Sequence, residues 1–113
     1  MSQFRCGDVV LVSLILPNSG SPKTRPAIIL GSDPERNLLV CPVSHKPSHD
    51  TSCIPLSIDD FEEGGLDLFD ESYILLEHLV KIHPREVKGK KGHLIEKTIF
   101  QVMSEMSGKG TTR

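Results

Sequence analysis

The chain has 113 residues, of which Leu, Ile, Val and Phe make up 34; that is enough apolar surface for one globular core and too little for two. No apolar stretch is long enough for a membrane span, the start Met1-Ser2-Gln3-Phe4-Arg5 does not read as a secretory signal, and three scattered cysteines suit a reducing cytoplasm. The net charge of −2 hides a segregation, with eight acids and no Lys or Arg over residues 59–77 and six bases against two acids over 81–97, so a polyanion meets a local field rather than the net charge.

Gly7-Asp8 reads as a turn into the β-branched, apolar run Val9–Leu16, the first expected strand. Residues 17–24, rich in Pro, Asn, Ser and Gly, are expected to form a loop. Pro26–Leu30 is a second strand, with the proline at its start, where a missing N–H harms a ladder least. Gly31–Asn37 reads as a polar turn and Leu38–Val43 as a third strand. His45–Ser52 is another loop, and Cys53–Ile58 alternates like a short edge strand. Asp59–Asp70 is an acidic connection, and Ser72–Val80 a fifth strand. Gly89-Lys90-Lys91-Gly92 reads as a solvated basic turn, since no Gly-Lys-Ser/Thr follows to make a phosphate-binding loop. Ile95, Ile99, Val102, Met103 and Met106 fall on one face at helical spacing, which predicts a C-terminal helix laid on a sheet with both methionines in the core. Residues 1–106 are expected to be a single domain and 107–113 a frayed tail. Short strands with one terminal helix make a mainly β protein, a small, strongly curved antiparallel barrel.

His45, His49 and Cys53 form H-x3-H-x3-C. Pro47 argues against the helix that would present both histidines together, and no nearby pair completes four ligands, so no metal site is expected. A different kind of pattern spans residues 7–44. Gly7-Asp8-Val9-Val10-Leu11-Val12, a Gly/Ser/Pro loop, Arg25-Pro26-Ala27-Ile28-Ile29-Leu30 and then Val40-Cys41-Pro42-Val43-Ser44 follow one another in order. This combination resembles the MazF/PemK-like toxins of bacterial type II toxin–antitoxin systems. Ile74–Ile82 also looks like that family's strand with an acid near its centre, and the likeness covers about residues 4–106.

The resemblance implies an SH3-like barrel of the CcdB/PemK type, homodimerisation, a cytoplasmic location, a cognate antitoxin with which the toxin binds DNA as a complex, and cleavage of single-stranded RNA with no metal or other cofactor. It implies attack of a ribose 2′-hydroxyl on the adjacent phosphorus. Arg25 matches the catalytic arginine at the end of the first loop, Ser44 takes the place of the hydroxyl residue after the third strand, and Glu77 falls at the position of a catalytic acid. The loop residues Ser19, Gly20, Ser21, Lys23 and Thr24 match the segment that contacts RNA. Departures from the family pattern are a first loop lacking Glu-Gln before the arginine, Ser44 in place of Thr, and Leu75 where some members carry a second arginine.

The residue types suit that chemistry. Phosphoryl transfer gathers charge on non-bridging oxygens, and a guanidinium offers a planar fork of donors matched to them, with a serine hydroxyl as a further donor. A base must take the 2′-proton; Glu77 or His78 can do so, and strand alternation lets only one of the two face the site. The alternative function is a catalytically inactive or non-nuclease SH3-like binding module, such as a topoisomerase-directed toxin. The low aromatic content, with Tyr73 the sole tyrosine and no tryptophan, argues against an aromatic-lined peptide groove.

Overall fold

A computed structural model describes residues 4–15, 20–44, 53–64, 72–76 and 78–111. The strands are β1 (Asp8–Leu14), β2 (Lys23–Ser32), β3 (Leu38–Ser44), β4 (Cys53–Leu56), β5 (Phe61–Gly64), β6 (Ser72–Leu75), β7 (Val80–Ile82) and β8 (Gly89–Leu94), followed by the helix α1 (Glu96–Thr111). All pair antiparallel in the order β4-β6-β3-β2-β1-β8-β5, and β7 also lies on β3. The result is the expected mainly β architecture: a curled, half-barrel sheet with one C-terminal helix.

Alternation along the strands sorts the apolar side chains onto two faces. Val9, Ile28, Cys41, Val43, Ile54, Ile74 and Leu94 form one core, against which α1 lays Val102, with Ile99 and Met106 half-buried beside it. Val10, Val12, Leu14, Ala27, Ile29, Leu38, Val40 and Ile82 form the other, flanked by Phe4, Val80 and Val87. Along β1 the first face opens to solvent at Ser13, whereas Val10, Val12 and Leu14 stay buried on the second. Turns fix the ends of these strands. Gly7, at φ +99°, makes the turn into β1; a Cβ there would lie 2.3 Å from Ile99 Cδ1, so the helix seat needs this glycine. Asp33 caps the β2–β3 turn by accepting from the backbone N–H groups of Glu35 and Asn37, and its carboxyl titrates lower than usual: desolvation raises it, but these bonds and Lys81 more than offset that.

Several expectations from composition need correction. β2 starts at Lys23 and runs to Ser32, so Lys23 and Thr24 belong to a strand paired with β1 rather than to a loop, and Gly31 and Ser32 are not yet turn. The acidic connection contains a short 3-10 turn (Ile58–Asp60) and the strand β5. The expected fifth strand is two, β6 and β7, separated by a turn at Leu76 that sends them to successive stretches of β3. Gly89-Lys90-Lys91-Gly92 is not a solvated turn; it is the first part of β8, held between β1 and β5. Gly64 of β5 permits the close pairing, since a Cβ there would lie 2.6 Å from Gly92 Cα. Met103 is 38% exposed and Thr98 takes a buried place on α1 instead, donating its hydroxyl to Asp60 Oδ1 at 2.8 Å. The helix also continues to Thr111, past the expected boundary at Met106. His45, His49, Leu16 and residues 17–19 lie outside the described residues.

Candidate active site where two strands part

β2 and β3 pair from Ser32↔Leu38 to Ala27↔Pro42 and then no further. Beyond that point β3 turns its edge to β6, with Val43↔Ile74 and Ser44↔Tyr73. Two residues past the last pair on each strand come Arg25 and Ser44, which are in line with one another in the register that Ala27↔Pro42 sets. Arg25 also pairs with Val12 of β1, and alternation places it on the face of Ala27 and Ile29, at the end of the second core. Val12 and Arg25 thus pair on one side of the parting, and Ser44, Tyr73 and Pro55 pair in a row across β3, β6 and β4 on the other. The neighbouring row, Val10, Ala27, Pro42, Leu75 and Cys53, is buried up to Leu75, whereas Arg25, Ser44 and Tyr73 are half-buried and Pro55 is exposed. The polar row is the rim of an apolar floor.

Arg25 Nε is buried and has no hydrogen-bond partner among the described residues. A buried N–H left unpaired costs about 1–3 kcal/mol, and a guanidinium donor is satisfied best by a carboxylate or phosphate oxygen. Arg25 therefore offers a desolvated, unfilled donor beside a hydroxyl residue at the point where the ladder opens. The residues that precede it are exposed. Gly20, at φ +74°, and Ser21 are exposed in the turn, and Lys23 and Thr24 are exposed on the strand leading to Arg25. Ser19 and Glu77 lie outside the described residues. His78 is half-buried just after the Leu76 turn, its N–H donating to Leu75 O at 3.4 Å. Leu75 is buried.

A second polar centre lies elsewhere, between β1 and β8. Asp8 is fully buried, and its carboxylate accepts from Arg5 N–H at 2.8 Å and from His93 at 2.7 Å, with Lys90 Nζ at 3.3 Å. Burial by itself would raise the Asp8 pKa, but these bonds and the Lys90 charge outweigh it and hold the carboxyl below its usual range. A carboxylate only accepts, so His93 Nδ1 carries the proton of that bond. No sequence signal ties these groups together, because Asp8 and His93 are 85 residues apart. Burial pushes the Cys41 thiol up to about 11, which leaves it a small apolar core residue at neutral pH. Among the described residues no three His, Cys, Asp or Glu side chains cluster as metal ligands, and no helix is long and apolar enough to cross a membrane.

A family model described as the PemK-like, MazF-like toxin of type II toxin–antitoxin systems matches residues 5–107. No curated protein matches the chain.

Proposed function

From the premise that this chain belongs to the PemK-like, MazF-like toxins of type II toxin–antitoxin systems, we propose that it is an endoribonuclease that cuts single-stranded RNA without a metal, with Arg25, Ser44 and Glu77 as its catalytic residues. The observation that carries this reading is the buried, unpartnered Nε of Arg25 at the parting of β2 and β3. In the reaction the ribose 2′-oxygen bonds to phosphorus as the bond from phosphorus to the 5′-oxygen breaks. The products are a 2′,3′-cyclic phosphate and a 5′-hydroxyl. Arg25 donates to the non-bridging oxygens as their charge grows, and Ser44 adds a hydroxyl donor. The 2′-proton goes to a base, the Glu77 carboxylate or the His78 imidazole, and the leaving 5′-oxygen takes up a proton.

Gly20, Ser21, Lys23 and Thr24, with Ser19 before them, contact the RNA on the approach to Arg25, where their exposure leaves them accessible. The family pairs each toxin with an antitoxin. An acidic, apolar segment of such a partner laid over Arg25 would occupy the same donors as an RNA phosphate. Homodimerisation of a cytoplasmic protein fits a sheet whose strand order, among the described residues, ends at β4 and β5. The test is to incubate the purified protein with a long mixed-sequence RNA in EDTA. Fragments ending in a cyclic phosphate and a 5′-hydroxyl are expected. Intact RNA, together with growth arrest on expression, would overturn the nuclease reading in favour of a binding module.

A further inference from the structure

Tyr73 is the sole tyrosine of the chain, which has no tryptophan and four phenylalanines. Phe4 and Phe61 pack against the two cores, Phe100 stands 74% exposed on α1, and Phe69 lies outside the described residues. Tyr73 is placed differently. It pairs with Ser44 on one side and with Pro55 on the other, in a half-exposed row that ends on Ser44 where β3 parts from the strand of Arg25, and it lies two residues from the buried Leu75 on the same strand. Neighbouring strands are about 4.8 Å apart, so the ring stands one strand from the hydroxyl residue and on the side away from Arg25. A nucleotide is built the same way: a charged phosphate, a sugar, and a flat base about one ring further on. Every base has a π-face, and single-stranded RNA is held largely by stacking such faces on aromatic side chains. The row therefore supplies donors for a phosphate and, beside them, a flat surface for what the phosphate carries.

We propose that the ring of Tyr73, with Pro55 at its side, is the platform on which a nucleobase adjoining the cleaved phosphate stacks, so that Tyr73 sets affinity and base preference. The inference rests on the reading of Arg25 and Ser44 as the phosphate-handling residues. Arg25 acts on charge and is blind to the base, whereas Tyr73 acts on the base and leaves the chemistry to others. Replacing it changes KM and sequence preference more than kcat.

The chain's own fluorescence makes the test direct, since tyrosine emission comes from Tyr73 alone. The protein is titrated with a dye-labelled mixed-sequence RNA whose 2′-hydroxyls are replaced by fluorine, which removes the nucleophile and keeps the bases, and with an abasic backbone of equal length. The dye's anisotropy reads binding, and tyrosine emission reads the ring. The base-bearing strand quenches the emission with the same midpoint as the anisotropy change, and the abasic strand does not. Tyr73→Phe keeps the parent affinity, while Tyr73→Leu weakens it on the order of tenfold. Binding that leaves the emission as the abasic strand leaves it overturns the inference with no variant needed, as does a folded Tyr73→Leu with parent affinity and base preference. If ordinary RNA is cleaved while either of these results holds, this inference falls alone; if ordinary RNA is neither bound nor cleaved, the phosphate reading falls with it.

Discussion

Among the described residues, the buried Asp8 carboxylate and the buried Nε of the half-buried Arg25 are treated in opposite ways. Between β1 and β8, the Asp8 carboxylate is enclosed and met by the Arg5 N–H, the His93 ring and Lys90. Where β2 and β3 part, Arg25 Nε is equally shut off from water and nothing among the described residues meets it. A buried polar group with partners fastens the elements that carry them; one without is a standing cost that only a ligand removes. The first arrangement is what a fold needs, and the second is what a site for a polyanion needs. β1 runs between them, paired through Asp8 with β8 and through Val12 with Arg25.

The contrast is sharpest in Arg25→Ala. Removing an unsatisfied donor leaves stability unchanged or slightly raised in a urea titration, and cleavage falls by roughly 10²-fold or more because a preorganised donor to the transition state is gone. Arg25→Lys restores little, since an ammonium lacks the planar fork. Parent cleavage by Arg25→Ala would show that the orphaned donor is incidental. Asp8→Asn is expected to do the reverse. It strips the counter-charge from Lys90 and replaces the carboxylate that accepts from His93 by a neutral amide, and costs about 3 kcal/mol of stability, while the cleavage rate per folded molecule stays near the parent value.

Acid sharpens the same comparison. The folded-state pKa of Asp8 is lowered from 3.8, so its contribution to stability is complete above roughly pH 5 and is lost as the pH falls through the folded value. The parent's urea midpoint should therefore drop more between about pH 7 and pH 3 than that of Asp8→Asn; equal drops would mean that the carboxylate is not the acid-sensitive fastening. The smallest effect is expected at the exposed Lys88 and Lys91. Replacing both by alanine weakens RNA binding and lowers the slope of log affinity against log salt by about 1–2, with turnover at saturation kept. Lys90, tied to Asp8, is left in place so that binding and stability are not confused.

How much of this was legible in the sequence follows from where each signal resides. β1, the middle of β2, β3 and the inner face of α1 announce themselves in β-branched runs and helical spacing, because the same few residues make the element and bury it. β5 and β8 do not. Phe61-Glu62-Glu63-Gly64 and Gly89-Lys90-Lys91-Gly92 have the composition of turns, and they are strands because of the neighbours they pair with, β5 with β8 and β8 with β1, the first pairing drawn close by the missing Cβ of Gly64. Met103 falls in the apolar periodicity of α1, but the turn at Asp60 rotates the contact toward Thr98. Arg25 and Ser44 could be picked out only through the order of short motifs, and their alignment depends on where a ladder stops. Tyr73 carries no such motif, and its place next to Ser44 follows only from the pairing of β3 with β6.

Gly7 and Asp8 are adjacent in the chain but both are answered from its far end, by Ile99 of α1 and by His93 of β8. Synthesis runs in one direction, so β1, β2 and β3 emerge and can pair among themselves while the outer edge of β1 still has no neighbour. During that interval Asp8 has neither His93 nor Lys90, and the face that α1 will cover is open. Chaperones and premature strand partners compete for such edges. The arrangement also orders events: the segment bearing Arg25 is made early, but the strand and helix that complete the sheet around β1 arrive last. A truncated product lacking β8 and α1 is thus left with an open edge on β1 and the core face of α1 uncovered, the features that expose a chain to aggregation and proteolysis.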